Sequence, residues 1–65
     1  MTTLTAAQTE LLNFFQRYPS WYTPNELAYP QYGLSADAQA ALGSLVSLGL
    51  LVKQPTMPLY KLNGG

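Results

Sequence analysis

The side chains able to exchange a proton near neutral pH are three carboxylates, Glu10, Glu26 and Asp37, because the 65-residue sequence holds no histidine and no cysteine. Without histidine the chain lacks the commonest general base and the commonest transition-metal ligand. Without cysteine it has no thiolate zinc site, no disulfide and no sulfur nucleophile. Glu26 stands three residues after Thr23, where it serves a helix cap. Asp37 falls in the first turn after Ser35, where the helix dipole favours an anion. No paired acid–base arrangement, Gly-rich phosphate loop or metal-ligand spacing is left over. The expectation is a protein that is not an enzyme and takes no cofactor and no metal.

The cations carry a different message. Arg17, Lys53 and Lys61 balance the three acids, for a formal net charge of zero. Nucleic-acid affinity rests on cation–phosphate contacts, with log K falling about 0.9 per neutralised phosphate per decade of salt. Three cations neutralise at most three phosphates, so charge gives a nucleic-acid partner only weak support. Residues are 48% apolar and 9% charged, which excludes charge-driven disorder and supplies a core. The length fits a single domain spanning residues 1–65. No apolar run approaches the roughly 18 residues of a membrane span, and Met1 to Thr5 lacks the basic start of a signal peptide. The expected location is cytoplasmic, with no membrane partner.

Elements that position these groups are marked by caps and breakers. Thr5 and Gln8 make a capping box for a helix over 6–18, with Ala7, Leu11, Phe14, Phe15 and Tyr18 as its core stripe and Pro19 as its stop. Leu12 and Leu4 lie off that stripe and offer a surface for a homodimer. Thr23-Pro24-Asn25-Glu26 caps a short helix over 24–29, ended by Pro30. Residues 31–34 form a turn in which Gly33 supplies positive φ. Ser35 caps a third helix over 36–48, with Ala38, Ala41, Leu42, Leu45 and Leu48 inward and Gly49 as its stop. Strands at 50–53 and 59–62 flank a turn at 54–58, and residues 63–65 form a frayed tail. Leu50, Val52, Tyr60 and Leu62 are expected to line one face of the hairpin while Lys53 and Lys61 point out. Tyr18 and Trp21 are expected in the core, and Tyr22, Tyr29 and Tyr32 on the surface.

This order of elements resembles a winged helix-turn-helix domain, an α+β, mainly α fold of three helices followed by a two-stranded β-hairpin wing. Thr23 to Ala28 looks like that family's second helix. The run from Ala41 to Leu51, with its Leu-x-x-Leu-x-x-x-Gly-Leu spacing, looks like the end of the third helix entering the wing. In DNA-binding members the resemblance implies a third helix in the major groove and a wing on phosphate. Here the exposed side of the third helix has no Arg or Lys, and Gln39 is its one side chain suited to a bidentate adenine contact.

That side carries small residues instead. Ala36, Ala40, Gly43 and Ser47 fall on one line at 100° per residue, opposite the core stripe. A smooth face of this kind lets another chain approach closely. The expected function is a regulatory adaptor or inhibitor that docks on a protein partner through Ala36, Gln39, Ala40, Gly43, Ser44 and Ser47, with Lys53, Met57 and Lys61 of the wing. The alternative is a DNA-binding transcription regulator acting as a dimer, which would double its few cations. The terminal Gly64-Gly65 pair resembles the tail of ubiquitin-like modifiers and sulfur carriers, but those open with a β-hairpin and this chain opens with a capped helix.

Overall fold

Two reciprocal capping boxes start the first two helices of the computed structural model, which describes residues 3–64. The Gln8 amide donates to Thr5 Oγ1 at 3.1 Å and Gln8 Oε1 accepts from the Thr5 amide at 2.8 Å. Thr23 and Glu26 repeat the exchange at 3.2 and 3.1 Å. The helix α1 so begun runs Ala6–Arg17, and α2 runs Pro24–Leu27. The chain expected to stay helical to residue 29 stops at Leu27, because Pro30 holds Tyr29 extended at φ −64°, ψ 131°. A 3-10 turn at Pro30–Tyr32 follows and closes on Gly33 at φ +68°.

The third helix, expected as one rod over 36–48, is two pieces: α3, Ala36–Ala40, and α4, Leu42–Ser47. The break is at Ala41. Its amide is shared between the Asp37 and Ala38 carbonyls, each at 3.1 Å. The Ser44 hydroxyl donates back to the Ala41 carbonyl at 2.8 Å, which competes with the helical ladder next to Gly43. Gly/Ser pairs and back-bonding serines are recognised causes of helix bends. The apolar stripe survives the break, since Ala38, Ala41, Leu42 and Leu45 are all buried.

Strands β1, Leu51–Lys53, and β2, Tyr60–Leu62, pair antiparallel with Leu51 opposite Leu62, Val52 opposite Lys61 and Lys53 opposite Tyr60. This register corrects the expected faces. Leu51, 1% exposed, takes the core position, while Val52 shares the other face with Lys61. Lys53 lies on the face of Leu51 and Tyr60, at its outer end. Because side chains alternate along a strand, a one-residue error in parity exchanges both faces.

A further backbone pairing ties the α1–α2 link to the sheet. Tyr22 and Tyr60 exchange both N–H···O bonds at 2.9 Å. Neighbouring residues on extended backbone point to opposite sides, so Tyr22 turns inward and Trp21 turns out. Expectation had these the other way round. Tyr22 is 9% exposed, and its hydroxyl donates to the Tyr18 carbonyl at 2.9 Å. Trp21 is exposed, with Lys61 Nζ 5.0 Å from its ring centroid. Tyr18, expected in the core, is 52% exposed. It is the cap of α1 at φ −127°, ψ 73°, where the 100° step of the helical stripe no longer applies. Leu48 also leaves the core stripe, as the cap of α4.

The core is Leu11, Phe14 and Phe15 of α1, packed against Tyr22, Leu27, Leu45 and Leu51 and the small alanines of the α3–α4 stripe. The tail expected to fray is tied down as far as it is described. The Asn63 amide donates to the Leu50 carbonyl at 3.0 Å and its side chain to the Gly49 carbonyl at 2.7 Å. Gly65 lies outside the described residues.

Burial raises the Tyr22 phenol above its ordinary value of 10.0, with Tyr32, Glu26 and Tyr18 adding in the same direction. The folded protein therefore holds this proton more tightly than the unfolded chain. The associated stability is complete below about pH 10 and is lost as pH rises through the folded value. Tyr22→Phe should lower the thermal midpoint at pH 7, because the Tyr18 carbonyl loses its donor, and should fall less steeply between about pH 9 and 11. Melts across that range check it; parallel alkaline falls in both proteins would contradict it.

Candidate docking surface

Ala36, Ala40, Gly43 and Ser47 are all exposed, on the side of α3 and α4 away from the buried stripe. Gly43 is not there to let this chain pack on itself. A Cβ built on it meets nothing within 4 Å, and its backbone φ is not positive. The one charged side chain in these two helices is Asp37, in the first turn of α3.

Two of the expected docking residues are engaged within the chain. Gln39 is half-buried and donates through Nε2 to the Leu34 carbonyl at 3.2 Å, so it folds back over the start of α3. Ser44 accepts from Gln8 Nε2 at 3.1 Å while bonding the Ala41 carbonyl, which places it in the seam between α1 and α4.

The hairpin residues divide similarly. Met57 is 51% exposed between Pro55 and Pro58, at the tip. Lys53 Nζ donates to the Gln54 carbonyl at 3.0 Å, and Lys61 rests on Trp21. Arg17, at the end of α1, has its guanidinium carbon 5.9 Å from the Tyr18 ring centroid. All three cations therefore belong to elements other than α3 and α4.

The carboxylates have structural posts. Glu26 completes the α2 cap. Glu10 accepts from the Ser35 amide at 2.8 Å and from the Ser35 hydroxyl at 3.2 Å, while that hydroxyl oxygen accepts from the Ala38 amide at 3.1 Å. This relay fastens the start of α3 to α1. No local pattern announces it, because its partners lie 25 residues apart. Among the described residues no group of three or more His, Cys, Asp and Glu side chains could hold a metal ion. Likewise among them, no helix is long and apolar enough to cross a membrane.

Sequence reasoning set Leu4 and Leu12 apart as a surface for a homodimer but did not foresee two grooves. One, of about 370 Å³, is lined by Leu4, Leu12, Leu48 and Leu50. It collects the leucines that the α1 and α4 stripes leave over, Leu12 beside the stripe and Leu48 at the helix cap. The other, of about 290 Å³, runs along α1 past Phe14 and Tyr18 to Tyr32 and Leu34. No protein-family model, curated protein or solved structure matches the chain.

Proposed function

We propose that this chain is a winged-helix binding module without enzymatic activity, which docks on a protein partner through the outer side of α3–α4 and the hairpin. It would act there as a regulatory adaptor or inhibitor. The order of capped helix, short capped helix, divided third helix and antiparallel hairpin supports the winged-helix reading. Support for a protein partner comes chiefly from one observation: the outer line Ala36, Ala40, Gly43 and Ser47 is exposed, uncharged and unused by the chain's own packing. Protein interfaces lose charged residues at their centres, whereas DNA readers gather cations there.

Met57 adds a flexible apolar side chain at the hairpin tip, suited to an adaptable contact. The engaged Gln39 and Ser44 would then support the surface from within rather than reach the partner.

A photoreactive side chain placed at Ala40 tests the reading in the native host. A discrete protein adduct, absent when the same group stands at the exposed Gln16 of α1, is the expected result. Adducts to DNA alone would contradict it.

A further inference from the structure

Four residues of α1, Glu10, Asn13, Phe14 and Arg17, with its cap Tyr18, line the groove of about 290 Å³ that faces Tyr32 and the start of α3. The spacing of the four helical residues, three, one and three, puts them on one stripe of the helix. Phe14 lies buried beneath, and Tyr18 and Tyr32 tilt against it with ring centroids at 5.6 and 5.1 Å. Tyr29 stacks on Tyr32 at 5.9 Å with 23° between planes and is 46% exposed, so it widens the aromatic surface. Phe14 belongs to the core and Tyr32 packs against it, so the aromatic surface left open is chiefly that of Tyr18 and Tyr29.

Charge distinguishes the two ends. At one end the Glu10 carboxylate is already taken by the two donors of Ser35. At the other, Arg17 is exposed beside the Tyr18 ring. Seven residues at about 1.5 Å each separate them by roughly 10 Å along α1. Three residues of polyproline II chain span about 9 Å.

We infer that this groove binds an extended, proline-bearing peptide segment with an acidic side chain placed to meet Arg17. Proline rings pack on exposed aromatic faces, and a polyproline II backbone keeps its carbonyls free for donors. Asn13, Arg17, Tyr18 and Tyr32, which line the groove, carry side-chain donors. Charge complementarity at the Arg17 end selects an acidic side chain there, since Glu10, the groove's one carboxylate, lies at the other end and is held by Ser35. Stacked rings with an arginine also suit single-stranded nucleic acid. One cation gives little against a charge on every phosphate, however, and Lys53 and Lys61 belong to the hairpin. The inference is independent of the docking surface on α3–α4.

The test is an amide NMR titration of the whole chain with three probes: a seven-residue oligoproline with a central aspartate, the same peptide with a central lysine, and a twelve-nucleotide oligothymidine. The aspartate peptide should shift residues 10–18 and 29–34 and bind about fivefold more tightly than the lysine peptide. Arg17→Gln should remove that preference, and Tyr18→Ala should weaken both peptides about fivefold. Both side chains are exposed, so thermal melts should show these variants folded, and Gly43→Lys should bind as the parent does. No saturable binding of the aspartate peptide would overturn the inference. So would tighter binding of oligothymidine at the same residues, or peptide shifts confined to α4 and the hairpin.

Discussion

Phe15→Ala should leave this domain largely unfolded at physiological temperature. Phe15 is the largest of the fully buried side chains, with its ring edge-on to Phe14 at 5.8 Å and to Tyr22 at 5.5 Å. Truncating a core phenylalanine costs about 3–5 kcal/mol, the transfer of the ring plus the cavity it leaves. At about 0.05–0.15 kcal/mol per residue, a domain of this length has roughly 3–10 kcal/mol in all. One side chain thus carries a third or more of the total. The loss also reaches the hairpin, because Tyr22 is the residue through which β2 is bonded to the α1–α2 link. Urea denaturation followed by circular dichroism reads the effect. A midpoint close to that of the parent would mean that the core is not centred on Phe15.

Gly43 is the position where stability and docking should move apart. Glycine inside a helix costs about 0.5–1 kcal/mol relative to alanine, and nothing here repays that cost within the chain, since a Cβ meets open space. Gly43→Ala should therefore raise the thermal midpoint by about 5 °C while keeping the partner adduct at Ala40. Gly43→Lys should fold equally well, because its side chain extends into solvent from a helical φ. It should nevertheless abolish the adduct, because a lysine at the centre of a dry interface must be desolvated without a partner charge. Retention of the adduct in Gly43→Lys would remove α4 from the docking surface.

The local devices of this fold are legible in the sequence. Thr5 with Gln8, Thr23 with Glu26, and Ser35 as a cap each act within four residues, so their side chains declare the helix starts directly. Gly33 at φ +68° and Gly49 at φ +79° stand at turns for the same reason. What was not legible depends on contacts far along the chain. The pairing of Tyr22 with Tyr60 decides which of Trp21 and Tyr22 is buried, and it spans α2, α3 and α4. The choice of Leu51 over Val52 for the core rests on the register that β1 takes against β2. The break at Ala41 is a local exception, accompanied by a serine hydroxyl bond three residues on, in a stretch whose apolar period runs unbroken.

The candidate surface was legible in part for a related reason. A helix face follows from spacing alone, so Ala36, Ala40, Gly43 and Ser47 could be set apart from the core stripe. Whether a polar side chain on that helix is free depends on its neighbours. Gln39 and Ser44 found partners at Leu34, Ala41 and Gln8, of which only the Ala41 contact lies within one turn. The aromatic groove escaped because it assembles from α1 and from Tyr32, on separate elements.

In the proposed function α3–α4 and the hairpin meet protein rather than DNA. An amide NMR titration with a mixed-sequence duplex, first at low and then at physiological salt, separates the two. With three cations in the whole chain, any DNA affinity should fall by at most about 2.7 log units per decade of salt from a weak starting value. Shifts at residues 36–47 and 53–61, if they occur at low salt, should vanish at physiological salt. Shifts at those residues that persist and saturate at physiological salt would contradict it, and would make α3–α4 a reader of DNA.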